Sequence, residues 1–558
     1  MTSSCSLDRY PLSQGSADTW YSNADEMLNC LNDSYRKAFY TVDVEFWTDR
    51  RTDDWSQRDQ VYDFSNGSVN ASTSTYQTVW ENSYKAISRS IRVLEAIDKI
   101  GGGSAYEAIA AEADFFIGFF YAHLANLYGD VPYYEKTITI EEATAMTRTN
   151  RDTVMNHALK YLDKAIEGLP ESNTAGGVTR VNKNVARAIK ARYCLYWKDY
   201  QTCRSLCEDI INSGRYSLYY SSSDPKNSYG EFFTQKGYNT ENIFIIGQSY
   251  SYEVTQSIKS WVLRTAGGTA VASPSWDLLA AYECTDGKNI VESALFDNHD
   301  PFKNRDPRMA MTFVVPGSSV YGMQFQPAID SLTVYDSKQG KIVDNQDNKI
   351  ASNPYASYNS CIMRKGAQDE WRELQVNENP EIIIRYADVL LMKAECDIEL
   401  NEIGKSTFEM INRVRARAYG IADYNADGYP KVTTTDQKQL RIILRRERRV
   451  EMALEGRRWY DLRRWGLLKQ CYSVDMYAHP TATDLAKNVK AGEWFWDKKP
   501  TLLTTGDFAN IDCEFWDLTQ LHNAKLYGKH QYDPKVELFP IPEEEVKCNP
   551  KLGQNPGY

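Results

Sequence analysis

The sequence predicts a mainly helical protein, in which stacked helical hairpins form a scaffold that carries a loop-rich insertion. Three observations indicate this fold class. Apolar residues recur at spacings of three and four over much of residues 24–213 and again after residue 380. Glycine and proline end periodic segments, as at Gly101 to Gly103 and Gly129 to Pro132. Between residues 215 and 380 the periodicity is lost, and Gly, Pro, Ser and Asn separate short apolar runs.

The periodic segments predict helices at 24–41, 76–100, from Gly103 to Tyr128, 151–168, 181–198, 200–213, 383–401, 404–419 and 436–455. Between them, residues 48–75 predict a long exposed loop, Ile243 to Ile246 a short strand, and residues 470–530 a second irregular stretch. In the 181–198 helix, small alanines alternate with bulky aromatic and leucine side chains. Because tetratricopeptide-like stacking needs this alternation, we predict a TPR-like helical scaffold.

These patterns divide the chain into four segments. Residues 1–20 form an N-terminal tail, and residues 21–214 form an N-terminal helical region. Residues 215–380 form the loop-rich central insertion, and residues 381–558 complete the helical scaffold.

Composition excludes several classes of partner. The 558 residues carry a net charge of -11, which argues against nucleic-acid binding and against binding to anionic membranes. The longest apolar run, Phe115 to Leu127, is interrupted by His123 and Asn126 and is too short to cross a bilayer.

Aromatic residues make up 13% of the chain, with 38 Tyr and 13 Trp, and such rings serve both in cores and at recognition surfaces.

The sequence contains no recognisable catalytic or cofactor motif. Its six histidines have no metal or nucleophile spacing, and neither a phosphate-binding glycine loop nor a dinucleotide fingerprint is present. Cys203 and Cys207 lie one helical turn apart without a further ligand nearby, so we expect them in the core. We therefore predict no enzyme, no cofactor and no metal site. Paired carboxylates for glycoside hydrolysis stay open, because only a structure shows their separation.

An arginine-rich segment spans residues 441–465. A phosphate-binding strip is one interpretation of this charge. Glu447, Glu451, Glu455 and Asp461 are interleaved with the arginines at helical spacings, however, and favour a structural ion-pair network.

Motifs along more than four hundred residues resemble the SusD/RagB family, in the family's order. The motifs are Leu127 to Pro132 (Leu-Tyr-Gly-Asp-Val-Pro), Asn304 to Arg308 (Asn-Arg-Asp-Pro-Arg), Arg385 to Glu395, Ile411 to Arg417, Arg446 to Gly466, Leu538 to Pro542 and Asn549 to Tyr558. The chain departs from the pattern at Glu112-Ala113-Asp114, where relatives usually carry arginine after Glu-Ala.

The resemblance implies an outer-membrane lipoprotein of Bacteroidetes with TPR-like helices and an irregular ligand-binding face. It implies capture of a glycan at the cell surface and delivery to a SusC-like TonB-dependent transporter. Cys5, near the start of the sequence, looks like the acylated cysteine of mature family members. A peptide-binding, RagB-like role is the alternative, and a surface glycosidase is the third reading.

Glycan-binding relatives use the region after the first helix together with the central insertion. In this chain the resemblance points to Arg50, Asp53, Asp54, Trp55, Tyr62 and Tyr76 as ligand-binding residues. From the insertion we add Trp261, Tyr321 and Trp371, because each lies among polar residues without helical periodicity. Aromatic platforms with polar side chains beside them suit sugars, which present apolar faces and hydroxyl edges. Burial in the core is the alternative for each aromatic ring, and it is the expected place for Trp80, which lies on a helical stripe.

Overall fold

The computed structural model describes residues 20–43, 47–57, 61–174, 179–251, 258–348, 356–357, 359–374, 376–478, 494, 496, 498–521 and 525–558. Helices predominate in these residues, and the predicted mainly helical class is confirmed. Cys5, the expected lipidation site, lies outside the described residues.

The described α-helices are α1 Ala24–Asn32, α2 Ser74–Ile100, α3 Ser104–Tyr128, α4 Ile140–Ala145, α5 Arg151–Gly168, α6 Lys183–Tyr196, α7 Tyr200–Asn212, α8 Ser228–Phe232, α9 Trp276–Ala281, α10 Pro307–Thr312, α11 Trp371–Leu374, α12 Tyr386–Glu399, α13 Lys405–Ala418, α14 Gln437–Glu451, α15 Arg458–Arg464, α16 Leu468–Cys471 and α17 Glu543–Cys548. The described strands are β1 Trp55–Gln57, β2 Asn242–Ile246, β3 Ala272–Pro274, β4 Ser319–Val320, β5 Met323–Gln324, β6 Thr333–Asp336, β7 Lys341–Asp344, β8 Glu381–Arg385, β9 Met476–Ala478, β10 Thr501–Leu502, β11 Trp516–Asp517 and β12 Lys525–Gly528. Strands β4 to β7 form an antiparallel sheet in chain order, and β1 pairs with β3, β2 with β8, β9 with β12 and β10 with β11.

Three of the predicted helix boundaries are wrong by three residues or more. The helix predicted to reach residue 455 ends at Glu451. The first helix ends at Asn32 rather than residue 41, because tighter 3₁₀ turns replace it. The helix predicted from residue 383 begins only at Tyr386, because the preceding run of isoleucines forms β8 and pairs with β2. A run of β-branched side chains favours this extended backbone.

Contacts divide the described chain into two units with interleaved segments. Unit 1 contains the described residues up to Phe39, then Ser74–Arg187 and Pro540–Gln554. Unit 2 contains Tyr40–Thr73, Ala188–Phe539 and Asn555–Tyr558. The four-segment division drawn from the sequence stays a prediction.

Helix α3 lies at the centre of unit 1 and packs against α2 and α5. Gly118 permits the close approach of α3 to α5, since a Cβ atom there would lie 2.8 Å from the carbonyl oxygen of Ala158. By length and composition α3 is apolar enough to cross a membrane, but 83% of its most apolar window is buried inside the protein. This burial is typical of a core helix.

In unit 2, α12 packs against α7, α13 and α14. Cys203 and Cys207 on α7 are fully buried, so the expectation that they belong to the core is confirmed. A second hydrophobic core is formed largely by residues of the loop-rich insertion and is rich in tryptophan. Its tryptophans are Trp55, Trp261, Trp276, Trp371, Trp494, Trp496 and Trp516. Much of the aromatic excess of the sequence is therefore core packing.

Arginine and carboxylate side chains form a buried network inside unit 2. The carboxylate of Glu451 accepts hydrogen bonds from Arg308 at 2.8 Å, from Arg385 at 2.8 Å and from Arg417. All four side chains are at most 1% exposed. Burial alone would raise the pKa of Glu451, but the three guanidinium groups outweigh it and hold that pKa far below its usual range.

The prediction of a structural ion-pair network for residues 441–465 is confirmed. Arg448 pairs with Asp461 inside this segment at 3.0 Å, but the two lie on successive helices rather than at the predicted helical spacing. Arg446, in contrast, pairs with the distant Glu283 at 2.5 Å. Both arginines are buried, so the network belongs to the core rather than to a helix surface.

Replacing Arg385 with methionine should strongly destabilise unit 2, because it removes a guanidinium from the buried carboxylates of Glu241, Glu451 and Glu455. Urea unfolding should show a loss of about 3–5 kcal/mol in the free energy of unfolding. Lys469→Met is the control, because Lys469 forms a solvent-exposed pair with Asp507 and its loss should cost less than about 1 kcal/mol. Equal losses in both variants would contradict a dominant role for the buried network.

The contribution of Glu395 should depend on pH. Burial would raise its pKa, but Arg464 and Arg448 outweigh burial and lower the pKa to about 2. Because the pKa is depressed in the folded state, the stabilisation is complete above about pH 4.5 and is lost as the pH falls towards 2. The Glu395→Gln variant should therefore be less stable than the wild type by roughly 3 kcal/mol at pH 7. The difference should shrink below about pH 5 in a series of unfolding measurements, and a difference independent of pH would refute the assignment.

Candidate ligand-binding pocket

The two acidic residues predicted in the first loop are not exposed. Asp53 accepts two hydrogen bonds of 2.9 Å from the guanidinium of Arg458, and Asp54 accepts one of 2.8 Å from Arg449. Burial would raise the pKa of Asp53, but Arg449 and Arg458 hold it well below its usual range. The expectation of an exposed loop is wrong at these positions, because the arginines draw the carboxylates into the core of unit 2. Their ligand contact stays a prediction.

The remaining residues predicted around the first loop differ in exposure. Trp55 is 1% exposed and belongs to β1, and Tyr76 is fully buried on α2 in unit 1. Packed cores hold both rings, so the alternative of core burial applies to them, and their ligand contact stays a prediction. Arg50 and Tyr62 are half-buried, so a ligand can still reach part of each side chain. Trp80 is buried, as predicted for a core residue.

The three aromatic residues predicted in the insertion lie together. The ring centroids of Trp261 and Trp371 are 6.1 Å apart, and those of Tyr321 and Trp371 are 6.4 Å apart. Tyr321 and Gly322 both have positive φ and form the two-residue turn between β4 and β5, which is the geometry of a type I′ hairpin. All three rings are buried, so the alternative of core burial applies to them as well, and they form an aromatic wall packed against the core. Their ligand contact stays a prediction.

Two of these rings border a pocket, which we name the Trp371 pocket. Its volume is about 100 Å³. It is lined by Asp43, Phe233, Trp261, Met363, Lys365, Gly366, Trp371, Asn377, Asn379, Pro380, Glu381, Ile382, Leu454 and Glu455. Since small-molecule sites usually measure about 300–1,000 Å³, this pocket has room for one part of a larger ligand.

A buried lysine contributes to the wall of the pocket. The ammonium of Lys365 donates to Glu455 at 2.7 Å, to the hydroxyl of Tyr229 at 2.8 Å and to the carbonyl of Ala453 at 2.6 Å. Burial lowers its pKa to about 8, with Glu455 opposing the shift and Arg385 adding to it. All three N–H groups of the ammonium have hydrogen-bond acceptors within the protein. This part of the wall is therefore polar and rigid.

An exposed tyrosine stands at the rim of the pocket. The backbone N–H of Tyr250 donates to Glu378 at 3.0 Å, and Glu378 lies between the lining residues Asn377 and Asn379. The Gln248 side chain fixes this arrangement, since it donates to the Asn379 carbonyl at 2.9 Å. Tyr250 is 38% exposed. It therefore presents an accessible ring next to amide and carboxylate groups.

Sequence reasoning missed Tyr250. The available signal was the alternation Ser249-Tyr250-Ser251-Tyr252, which places aromatic rings in a polar stretch without helical periodicity. The basic side chain nearby, Lys236, pairs with Glu370 at 2.9 Å and approaches Glu378 at 4.0 Å. Aromatic, amide and charged groups thus surround the mouth of the pocket, which is the chemistry that hydrogen-bonds and stacks on a polar organic ligand. Within the described residues no group of His, Cys, Asp and Glu side chains is arranged to hold a metal ion.

Comparison with known families covers most of the chain. The family model described as "SusD family" matches residues 213–558. The chain belongs to the SusD family. A second model, described as "Starch-binding associating with outer membrane", matches residues 16–195. These matches confirm the resemblance seen in the sequence motifs.

Individual SusD-like proteins agree with this assignment. The chain is 27% identical over 405 residues to a SusD-like protein of Formosa agariphila, covering 70% of each chain. A SusD-like carbohydrate binding protein of Bacteroides fragilis has a TM-score of 0.74 at 25% identity, covering 95% of this chain and 99% of the other. A laminarin binding SusD-like protein has a TM-score of 0.57 at 18% identity, covering 96% of this chain and all of the other, and shares the fold.

The different roles of two aromatic residues can be separated by mutation. Trp55→Ala should destabilise the protein by about 3–5 kcal/mol, because it leaves a cavity in the tryptophan-rich core. Tyr250→Ala should change the free energy of unfolding by less than about 0.5 kcal/mol, because the ring is partly in solvent. Chemical denaturation of both variants tests this, and a Trp55→Ala variant of wild-type stability would show that its ring is not a core residue.

Proposed function

We propose that this SusD-family chain captures a glycan at the Trp371 pocket and its rim. The observation that carries the proposal is the exposed side chain of Tyr250, whose backbone N–H donates to the carboxylate of Glu378, the residue between the pocket-lining Asn377 and Asn379. A pyranose ring presents apolar C–H groups to an aromatic face and hydroxyl groups to such polar neighbours. The similarity to a carbohydrate binding protein over nearly the whole chain supports this ligand class.

The site supports binding rather than hydrolysis. A glycosidase needs one carboxylic acid that keeps its proton near neutral pH. Burial would raise the pKa of Glu455 in the pocket, but Arg385 and Lys365 lower it, so the group is an ionised acceptor. It is further committed to hydrogen bonds of 2.7 Å from both of these side chains. A non-catalytic capture protein is therefore the function that this chemistry favours.

We further propose delivery of the captured glycan to a SusC-like TonB-dependent transporter in the outer membrane. In this proposal the protein is a surface-exposed lipoprotein anchored through acylated Cys5. The family model described as associating with the outer membrane supports this address. The small volume of the Trp371 pocket fits a transient grip on part of a long ligand, which suits handing that ligand on.

The Tyr250→Ala variant should lose affinity for the glycan. The ring supplies the accessible aromatic face, and we expect about a tenfold rise in Kd, or roughly 1.4 kcal/mol. Affinity electrophoresis of the purified protein against starch, laminarin and other polysaccharides, with a panel of peptides alongside, identifies the ligand. Titration calorimetry then compares the variants.

Tyr335→Ala is the matched control. Tyr335 is a 50% exposed tyrosine on β6 of the same unit, and it does not line the Trp371 pocket. Its loss should leave the Kd unchanged. Equal effects in the two variants would refute the site. Binding of peptides alone would favour the RagB-like alternative, and cleavage of a bound polysaccharide would show a glycosidase.

A further inference from the structure

Unit 1 contains a second pocket, distant in sequence from the Trp371 pocket, which we name the α2 pocket. Its volume is about 250 Å³, so it is the roomier of the two. It is lined by Trp80, Glu81, Tyr84, Pro132, Tyr134, Ile138, Ala143, Thr144, Met146, Glu545, Cys548, Asn549 and Leu552. Its side chains come from α2, from the segment around α4, and from α17 with the 3₁₀ turn that follows it.

One wall of the α2 pocket is aromatic. The rings of Tyr84 and Tyr134 are stacked with centroids 6.1 Å apart and an interplanar angle of 17°. Trp80 packs against Tyr84 at 5.1 Å. The Tyr84 hydroxyl donates to the carbonyl of Pro132 at 2.7 Å, which fixes the ring. The electron-rich faces of such rings attract cations.

Two carboxylates belong to the same pocket and lack a basic partner. Among the described residues no lysine, arginine or histidine forms an ion pair with Glu81 or Glu545. Glu81 accepts a hydrogen bond of 2.7 Å from the neutral amide of Gln77. The neighbouring Glu543 is different, because it pairs with Lys547 at 3.0 Å.

The pKa of Glu545 reflects the absence of a basic partner within the described part of the chain. Burial raises the pKa of Glu545 above its usual value, and the nearby carboxylate of Glu81 raises it further. A hydrogen bond from Trp80 opposes the shift only in part. Two acidic groups thus repel each other beside an aromatic wall, and a positive charge placed between them would remove the repulsion.

We propose that the α2 pocket binds an organic ammonium cation with a short apolar chain. The ammonium group would lie near Glu81 and Glu545 and against the tyrosine rings, where ion pairing and cation–π attraction act together. The apolar chain would pack on Ile138, Met146 and Leu552, which form the non-polar part of the lining. An anion would be repelled, and a neutral sugar would leave the two carboxylates uncompensated. This site is independent of the proposed glycan function.

The test compares n-pentylammonium with 1-pentanol, which has the same chain without the charge. Calorimetric titration of the intact protein should give at least tenfold tighter binding of the ammonium. Glu545→Gln and Glu81→Gln should each weaken ammonium binding by about fivefold or more and leave the alcohol unaffected. Glu543→Gln is the matched control, because this exposed residue of the same helix does not line the pocket, and its affinity should equal that of the wild type.

Cys548 reports where the ligand binds. Its thiol is exposed and lines the α2 pocket. Saturating pentylammonium should therefore slow the reaction of Cys548 with N-ethylmaleimide several-fold, as followed by peptide mass spectrometry, and pentanol at the same concentration should not. The proposal is overturned if pentylammonium does not bind at millimolar concentration, if the alcohol binds equally well, if both glutamine variants keep wild-type affinity, or if Cys548 is not protected.

Discussion

The convergence of three guanidinium groups on Glu451 is the interaction on which unit 2 depends. Arg308, Arg385 and Arg417 come from three separate segments of the chain, and each is almost fully withdrawn from water. A buried charge is tolerated only when an opposite charge and hydrogen bonds compensate it, so none of these segments can move without leaving a charge unpaired. Planar guanidinium groups can bridge two carboxylates at once, and Arg417 does so between Glu241 and Glu451. The network therefore fixes the relative positions of α10, β8, α13 and α14, which carry these four side chains.

The same network reaches the Trp371 pocket. Arg385 donates both to Glu451 in the centre and to Glu455, and Glu455 in turn accepts from Lys365 in the pocket wall. Part of the lining of the candidate site thus belongs to the charge network, and another part is the pair of tilted, packed rings of Trp261 and Trp371. Binding groups on such supports lose little conformational entropy when a ligand arrives. Tyr250 lies at the rim of the pocket, on a segment that is held by a hydrogen bond from its backbone N–H to Glu378.

Local patterns in the sequence predicted the helices well and the candidate site poorly, for one physical reason. Helical periodicity is a local property, and the predicted helix at 151–168 coincides with α5 Arg151–Gly168. The exposure of Asp53 depends instead on Arg458, 405 residues away in the sequence, and no spacing rule reveals that pairing. A polar stretch that contains tryptophan is compatible with an exposed sugar-binding surface. It is equally compatible with carboxylates that pair with buried arginines beside a packed core. Only the contacts in the folded structure distinguish the two. The resemblance to the family supplied the fold and ligand class, and the accessible ring of Tyr250 emerged only from the structure.

The charges in the two pockets differ in a way that separates their ligands. In the Trp371 pocket the charged groups of Lys365 and Glu455 already satisfy each other, so a neutral, hydroxyl-rich ligand can bind without disturbing any ion pair. In the α2 pocket Glu81 and Glu545 form no ion pair with a basic side chain of the described residues, and the proposed ammonium ligand would supply the missing positive charge. A neutral glycan lacks the positive charge that the second pocket would take, and an ammonium compound gains nothing from Glu455, which Lys365 and Arg385 already pair. We therefore expect the two pockets to take ligands of different charge.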